Sequence, residues 1–406
     1  MDGPSASRPA SVTYLWTSVG SRPGQHLGIA ATAIADLDSD GFSDPVVGGI
    51  DIRNFSGEPG IIRAYSSKGG SVIWEQSGSR LGLSLTSKIE NSAVAATRFF
   101  SARTDPAYVY GFQWSAPKLT PQTVEIRSGE SGSVIESFSV IGTPYLGQRA
   151  FVIHDLTRDD VGELALSDGK ASNEDSQKLV VCCVPTGKVL RRVGGRERKD
   201  SFGECVVSID DLDGDRVGDI AVSAPNRTTA AGRMAGAVEI VSGTSLETIM
   251  TLEGDEAFGH FGSSMCTIPK SSSTPAMLAV CSRGTANPGP FAGKVSFYSL
   301  PKLGREFEVL GIRQGSEFGA SVAYFQMKAG STKPMLAVGA EHGASSNRSA
   351  PFTQIIDVQQ RALLQVEYQG GTPTRLSSND PKVSDRLLLL DPMAEDGRGI
   401  IRCVSP

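Results

Sequence analysis

The chain has 406 residues, of which 39% are hydrophobic and 20% charged, and it carries a formal net charge of −5 at pH 7. This is an ordinary soluble globular composition, and the charge gives no reason to expect nucleic acid or an anionic membrane as a partner. No apolar run approaches the ~20 residues that a transmembrane helix needs. The first ten residues, MDGPSASRPA, lack the apolar core of a signal peptide and are predicted to form a flexible tail.

A Phe-Gly or Leu-Gly pair recurs along the chain and divides it into repeats. The spacing between successive marker glycines is 54 to 65 residues, which is enough for four short strands and their connections. A weaker seventh start lies near residue 377. The marker glycines are Gly28, Gly82, Gly147, Gly203, Gly262 and Gly319.

Each repeat is predicted to contain four strands. β-Branched and aromatic residues alternate in short runs bounded by Gly, Ser and Pro, while helical periodicity is scarce. The second half of a repeat predicts a hairpin, as in residues 61–74 and 238–252, and the first half supplies an inner strand pair. Radial repetition of four-stranded antiparallel sheets is the architecture of a β-propeller.

The two ends of the chain complement each other. The last repeat stops after residues 399–404, which match the third strand of the first repeat, so its fourth strand is missing. Residues 12–20 resemble the fourth strand of the first repeat, and pairing them with the C-terminal segment would remove an exposed sheet edge. The sequence therefore predicts one all-β domain over residues 11–406. We expect a seven-bladed β-propeller of four-stranded antiparallel blades, closed by pairing of the N-terminal strand with the C-terminal blade.

An Asp-rich turn joins the first two strands in three of the repeats. In residues 36–44 and 211–219, aspartates occupy positions 1, 3, 5 and 9 of the turn. In residues 155–163, Thr157 stands at position 3 and Glu163 at position 9. Carboxylates on alternate residues of a tight loop can converge on Ca²⁺, a hard ion that takes about six to eight oxygen ligands. The turn is not an EF-hand, because its position 12 is Val222, inside an apolar strand, instead of a bidentate Glu.

The predicted ligands are the side chains at positions 1, 3, 5 and 9 and the backbone carbonyl of position 7. Two calcium sites are expected at the first and third turns, and a third at the middle turn, where a neutral hydroxyl replaces one carboxylate. The alternative is Asp/Gly turn chemistry, in which Asp side chains accept hydrogen bonds from nearby backbone amides. The residues are Asp36, Asp38, Asp40, Phe42 and Asp44; Asp155, Thr157, Asp159, Val161 and Glu163; and Asp211, Asp213, Asp215, Val217 and Asp219.

Ser201-Phe202-Gly203 precedes the third Asp turn, and Ser223-Ala224-Pro225 follows it. Together with the turn, these residues resemble the FG-GAP repeat of the integrin α-subunit β-propeller, in which the same calcium loop lies between the first two strands of a blade. The resemblance implies a calcium-binding recognition module of adhesion type, extracellular or periplasmic. Only residues 143–145 separate the second and third repeats, so no ligand-binding domain is inserted there, which argues against adhesion through an integrin heterodimer.

Three functions remain open at this point. The first is a non-catalytic, monomeric module that binds a protein or a glycan through loops on one propeller face. The second is a polysaccharide-acting enzyme, or its substrate-binding part, with carboxylates contributed by different blades. The third is a structural scaffold. No H-E-x-x-H, G-x-S-x-G or phosphate-loop motif supports catalysis, so the first hypothesis is preferred.

Long loops follow the second strand of several repeats, and variable loops on a rigid scaffold are a usual place for binding. Their residues are 111–122, 171–177, 226–236, 283–293 and 342–351. Trp114 lies on the first of them, where it either packs or contacts a ligand. The six cysteines do not form a spaced framework and are interpreted as small buried thiols, with a Cys205–Cys266 bridge as the alternative.

Two pairs of residues occupy equivalent places in different repeats. Trp16 and Trp74 lie in outer strands, which indicates a role in packing between blades. His26 and His260 lie in the same segment before the marker glycine, which indicates a shared structural position.

Overall fold

The computed structural model describes residues 14–50, 59–78, 85–86, 98–103, 120–142, 146, 149–167, 178–184, 186–194, 200–272, 274–329, 331–341, 351–378, 380 and 382–406. Several sequence-based predictions fall outside these residues. They are the tail at residues 1–10, Gly82, Gly147, Trp114 and most of the loops 111–122, 171–177 and 342–351.

The described chain is all-β, with about 54% strand and about 1% helix, in a β-propeller arrangement. Its strands form seven four-stranded sheets, and neighbouring strands are antiparallel. The propeller arrangement comprises six blades. In six of these sheets every strand has at least four residues. The innermost strand of the remaining sheet is only Leu85–Thr86.

The strands are numbered in chain order. The N-terminal strand is β1 (Tyr14–Val19). The next two sheets contain β2 (Ala30–Ile34), β3 (Asp44–Gly49), β4 (Gly60–Tyr65) and β5 (Val72–Gly78), then β6 (Leu85–Thr86), β7 (Arg98–Arg103), β8 (Thr120–Ser128) and β9 (Val134–Gly142). The third and fourth contain β10 (Arg149–Val152), β11 (Leu164–Ser167), β12 (Lys178–Cys182) and β13 (Val189–Gly194), then β14 (Val206–Ile209), β15 (Asp219–Ala224), β16 (Ala237–Val241) and β17 (Thr248–Glu253).

The fifth and sixth sheets contain β18 (Phe261–Ile268), β19 (Met277–Ser282), β20 (Lys294–Ser299) and β21 (Gly304–Leu310), then β22 (Ser321–Ala329), β23 (Ser331–Ala340), β24 (Phe352–Asp357) and β25 (Ala362–Gln369). The last contains β26 (Thr372–Leu376), β27 (Arg386–Asp391) and β28 (Ile400–Val404), with a short helical turn at Ala394–Gly397 before β28.

The N-terminal strand β1 completes the last sheet, whose strand order is β1-β28-β27-β26. Its register with β28 is antiparallel, with Val19 opposite Ile400. The Gly20 amide, just after β1, donates to the Gly399 carbonyl at 2.9 Å, as the Gly254 amide donates to the Gly236 carbonyl at 2.8 Å in a complete blade. The predicted pairing of the chain ends is therefore confirmed, and β1 is the outermost strand.

Outer-strand aromatics pack one sheet against the next. The Trp16 indole donates to the Ser67 carbonyl at 2.8 Å, and a Cβ at Gly70 would lie 2.5 Å from the Trp16 ring. Trp74 repeats this arrangement on the hairpin turn that contains Gly132. Gly70 and Gly132 have φ of +70° and +67°, so these glycines allow the left-handed turn and leave room for the ring. The predicted packing role of Trp16 and Trp74 is confirmed.

The hydrophobic core is divided into clusters that each lie between two neighbouring sheets. One cluster joins Val238 of β16 to Met265 of β18. Another joins Leu390 of the last sheet to Val47 of the first, so the two ends of the chain share a core. All six cysteines are free thiols, as the interpretation without a Cys205–Cys266 bridge predicts.

Trp16→Ala is expected to lower the free energy of unfolding by about 3–5 kcal/mol, because it removes a buried indole that fills the junction between the last and first sheets. Trp16 is 9% exposed, whereas its neighbour Leu15 is 41% exposed. Leu15→Ala is therefore the matched control and is expected to change the value little. Denaturant titration measures both, and equal effects of the two substitutions would show that β1 does not secure this junction.

Candidate functional site

The three Asp-rich turns join the first strand of a sheet to the second: β2 to β3, β10 to β11 and β14 to β15. Because successive strands alternate in direction, these turns lie at the same end of the sheets as the hairpin turns between third and fourth strands. The loops between second and third strands lie at the opposite end. The structure therefore separates the predicted metal turns from the predicted recognition loops.

All three turns share one backbone conformation. Positions 4 and 6 of each turn are left-handed, which is uncommon for residues other than glycine. The φ values are +60° and +94° at Ser39 and Gly41, +61° and +64° at Arg158 and Asp160, and +85° and +70° at Gly214 and Arg216.

The carboxylate at position 1 caps this backbone. Asp211 accepts hydrogen bonds from the amides of Gly214 at 2.7 Å and Arg216 at 2.8 Å, one on each oxygen. Asp155 and Asp36 accept amides from the same part of their own turns. The turn chemistry considered from the sequence is thus present in the structure, and it leaves the remaining lone pairs of these oxygens for other partners.

The carboxylate at position 9 is buried and ties the turn to its surroundings. Asp44 accepts the amides of Leu37 at 2.8 Å and Ser67 at 2.9 Å. Asp219 accepts the amides of Leu212 and Gly243 at 2.8 and 2.9 Å in the same way. Ser67 and Gly243 belong to the hairpin turns after the third strands, so position 9 connects the two turns of one blade.

The middle turn differs at positions 3 and 9 together. Glu163 accepts the Leu156 amide at 2.5 Å, as the other position-9 carboxylates do. Its second oxygen accepts the Thr157 hydroxyl at 2.9 Å instead of an amide of the hairpin turn. The two departures from the Asp pattern therefore compensate each other inside the turn.

Three of the predicted ligands come together in each turn. Their ligand atoms lie within 4.8 Å of one another in the groups Asp36, Asp38 and Asp40; Asp155, Asp159 and Glu163; and Asp211, Asp213 and Asp219. Asp44 and Asp215 lie outside these groups. The position-7 amides of Phe42, Val161 and Val217 donate to the position-5 carboxylates at 2.7 to 3.0 Å. Ligation by the position-7 carbonyls stays a prediction.

The position-9 carboxylates are electrostatically unfavourable as anions. Burial, with the nearby charges of Asp38 and Asp40, raises the pKa of Asp44 to about 7. Burial and neighbouring aspartates also raise the pKa of Glu163 and of Asp219. A cation close to these groups would favour their charged forms.

An arginine from the last sheet reaches the first turn. The Arg386 guanidinium carbon lies 3.5 Å from the centre of the Phe42 ring, and Nη1 lies 3.1 Å from the Ser67 hydroxyl and 3.5 Å from Asp40 Oδ2. The sequence did not reveal this contact because Arg386 lies in the last repeat and Asp40 in the first.

A reduced version of the turn precedes β27 and was not recognised in the sequence. Asp385 is fully buried and accepts the Ser378 amide at 3.0 Å, with the same seven-residue offset as Asp44 and Leu37. Its other oxygen accepts Arg375 Nε and the Gln326 amide, both at 2.8 Å. The sequence signal is an Asp directly before the second strand of the last repeat, without the aspartates that precede it elsewhere.

At the opposite end of the sheets, polar side chains link successive blades. Asn226 donates to the Ser201 hydroxyl at 2.7 Å, and its carbonyl oxygen lies 2.9 Å from His260 Nδ1. Burial and the positive charge of Arg283 lower the pKa of His260. Arg283 pairs with Glu317 at 3.2 Å. His26 has the same left-handed conformation as His260, with φ of +48° against +54°, which confirms their shared structural position.

A buried ion-pair network anchors the loop 226–236. Arg227 contacts Asp200 at 3.0 Å and Glu239 at 2.5 Å, and all three side chains are at most 5% exposed. Removing one member of such a network leaves a buried charge without its partner, which is strongly destabilising. The base of this loop is therefore part of the core, and its exposed residues begin at Thr228.

Compared with models of protein families and with curated proteins, the chain matches none. The resemblance to FG-GAP repeats therefore depends on the residues of the turns and on the marker glycines. No helix in the described part of the chain is long and apolar enough to span a membrane.

Asp385→Ala is expected to destabilise the protein equally in chelator and in calcium, because Arg375 and two amides lose their acceptor while no metal ligand is removed. Each buried donor left unpaired costs about 1–3 kcal/mol. Asp380→Ala, at an exposed position nearby, is the control. Denaturation curves in both buffers measure the free energy of unfolding. A loss of stability seen only in calcium would make Asp385 part of a metal site.

Proposed function

We propose that the chain is a calcium-binding, non-catalytic recognition module that binds a protein or a glycan through loops on one face of a seven-bladed β-propeller. The observation that carries the proposal is the repetition of one turn geometry at three places. In each turn several carboxylates converge on a small volume, and one buried carboxylate has a raised pKa. Such an arrangement is stable when a cation offsets the repulsion between the carboxylates.

The donor chemistry fits Ca²⁺. The grouped ligands are carboxylate oxygens, with no imidazole or thiolate among them, and hard cations prefer oxygen. Ca²⁺ accepts irregular sets of about six to eight oxygens, whereas Mg²⁺ requires near-octahedral geometry. The side chains at positions 1, 3, 5 and 9 and the carbonyl of position 7 would hold the ion, with water completing the shell. Because the turn joins two strands, a bound ion would stabilise its blade.

Several contacts support a closed ring of seven blades. The sheet with the short strand β6 contributes Leu85 to a core cluster with Ile34 and Val46 of the first sheet. Its strand β8 contributes Val124 and Ile126 to a cluster with the third sheet. The last sheet meets the first through the backbone of Ser43 and Ser377, at 2.9 Å, as well as through their shared core. Each sheet in this arrangement has a neighbour on both sides.

The loops between second and third strands are the proposed recognition face. In the two described loops, 226–236 and 283–293, the bases are fixed by the Arg227 network and by the polar contacts between blades, while the tips are exposed. A rigid base with an exposed tip is suited to binding with little ordering cost. The proposed protein is a monomer and is extracellular or periplasmic, where calcium is millimolar.

Calcium is expected to raise the melting temperature, and Asp213→Asn is expected to remove one ion and reduce that increase. Asp213 is the cleanest position, because its side chain is exposed and accepts only the Asp215 amide at 3.2 Å in the described structure. Asn keeps this acceptor and removes the charge. Extracellular modules bind calcium at about 10⁻⁴–10⁻³ M, so the melting curves need millimolar calcium.

Asp210→Asn is the matched control, because Asp210 is exposed, adjacent to the turn and outside positions 1 to 9. Magnesium and chelator are the reference conditions, and elemental analysis counts the bound ions. A melting temperature that does not respond to calcium, together with no bound calcium, would contradict the metal proposal.

Shortening the loop tips is expected to abolish ligand binding without unfolding the protein. The structure restricts the change to residues 228–232 and 286–289, because Arg227, Ala235 and Ala292 are buried and the Pro290 carbonyl accepts the Gly315 amide of the next blade. Protein and glycan arrays screened with calcium identify the ligand, and the shortened variants are then compared by melting temperature and affinity. Unchanged affinity in both variants would place recognition elsewhere on the ring.

A further inference from the structure

Two phenylalanines stand at positions where at least one other repeat has glycine. The segment that enters each first strand pairs with the end of the loop in the preceding blade. In this pairing the Phe258 amide donates to the Arg233 carbonyl at 2.8 Å. Gly24 and Gly315 make the same bond, to Asp396 at 3.3 Å and to Pro290 at 2.8 Å. Phe258 is therefore the counterpart of Gly24 and Gly315.

The same comparison places Phe291 with Gly397 of the last blade and with Met234 of the fourth, whose carbonyl accepts the His260 amide at 3.0 Å and whose φ is +51°. The Phe291 carbonyl accepts the Glu317 amide at 2.8 Å, and the Gly397 carbonyl accepts the His26 amide at 2.7 Å. All of these positions are left-handed: φ is +62° at Phe258 and +55° at Phe291, against +75°, +72° and +78° at the corresponding glycines Gly24, Gly315 and Gly397.

Bulky residues in this region of φ are outliers, and strain of this kind clusters at functional sites. Burial of the rings does not compensate for it, since Phe258 and Phe291 are both 47% exposed. Gly would suit both backbones better. Neither aromatic ring is thus explained by the needs of the fold.

The two rings belong to one surface. The Gly284 amide donates to the Gly259 carbonyl at 3.0 Å, next to Phe258, and the Ala292 amide donates to the Thr285 carbonyl at 2.9 Å, next to Phe291. The exposed residues of these segments are mostly apolar. The exposed apolar or amide residues are Ala257, Phe258, Ala286, Asn287, Pro288, Pro290 and Phe291, and Ile312 on the next segment is 61% exposed. Asp255 and Gln314 are exposed polar residues beside them.

Among the described residues around this surface, Arg233 differs from the other cations in forming no ion pair. Asp255 pairs with Lys294 at 2.8 Å and with Arg305 at 2.9 Å, and Glu317 pairs with Arg283. Arg233 is exposed and forms no ion pair with any residue that the structure describes. The Arg233 carbonyl accepts the Phe258 amide, so the backbone of Arg233 lies next to that of Phe258.

We infer that this surface, the Phe258–Phe291 surface, binds a protein segment in which an apolar side chain lies close to an Asp or Glu. The inference rests on the proposed function, since it names the partner of the recognition face. The rings and the alanine and proline side chains around them contribute apolar area, as exposed apolar patches with polar rims do in protein–protein contacts. Arg233 pairs with the carboxylate. A glycan would need convergent polar groups, whereas the exposed polar residues of these segments, Asp255, Asn287 and Gln314, are outnumbered by apolar ones.

The strain provides a test that separates binding from folding. Phe258→Gly and Phe291→Gly remove the rings and relax the backbone, so the melting temperature is expected to stay the same or rise while binding is lost. Arg361→Gly is the matched control, because Arg361 is exposed and has φ of +57° in a hairpin turn at the opposite end of the sheets.

The probe is a displayed library of random 15-residue peptides, selected on the full chain in calcium. Selection is expected to enrich peptides with an aromatic or aliphatic residue near Asp or Glu. Synthetic copies should bind the Phe258→Gly/Phe291→Gly variant and Arg233→Glu about tenfold more weakly or worse, and Arg361→Gly equally well.

The inference is overturned if no peptide is enriched, if enriched peptides are basic, or if they bind the glycine variant with unchanged affinity. A glycan array is screened in parallel with the same variants. Glycan binding that depends on Phe258 and Phe291 would refute the protein partner and leave the proposed recognition function standing. If the recognition function itself is wrong, changing the loop tips will not affect the binding of any peptide, protein or glycan.

Discussion

The architecture depends on a close approach between the backbone entering one blade and the second strand of the blade before it. At Gly203, Gly262 and Gly319 the chain is left-handed, and a Cβ would lie 2.8 to 2.9 Å from the Cβ of Ser167, Ser223 and Cys281, respectively. Both partners in each contact are small. This spacing sets how near the inner strands of adjacent sheets come, and it explains why Cys281 can stand where another repeat has Ser. The turns at one end and the loops at the other are both positioned by it.

The same junction makes the loops of one blade part of the next. The entering segment pairs with the preceding loop end through backbone hydrogen bonds, as at Glu317 and Phe291. Side chains add to this pairing, since Asn226 contacts His260 and Arg283 contacts Glu317. A change at one loop base therefore affects the next blade, and the pairing extends to Pro290, whose carbonyl accepts the Gly315 amide.

Local patterns in the sequence predicted most of the fold. Glycine spacing and alternating apolar residues indicated the four strands per repeat, and the likeness of residues 12–20 to a fourth strand predicted the pairing of β1 with β28. The Asp turns were located for the same reason, because their residues are adjacent in the chain. Arg386 beside Asp40, and Asp385 beside Gln326, could not be predicted, since these contacts join different repeats and follow no local rule. The left-handed conformation of the phenylalanines also required the backbone, although Gly24, Phe258 and Gly315 each lie four residues before a marker glycine.

The turns solve one electrostatic problem in different ways. A carboxylate at position 9 is needed to hold the turn against its blade, yet burial disfavours its charge. At Asp385 the ion pair with Arg375 provides the compensation. In the first turn Arg386 lies 3.5 Å from Asp40, and in the middle turn the Thr157 hydroxyl donates to Glu163. The third turn has four aspartates, and none of them pairs with a Lys or Arg of the described chain. Its buried Asp219 accepts only backbone amides. The Thr244 and Ser242 side chains donate hydrogen bonds to Asp215 and lower the pKa of that carboxyl. No described side chain compensates the buried Asp219, so a bound cation has most to offset there.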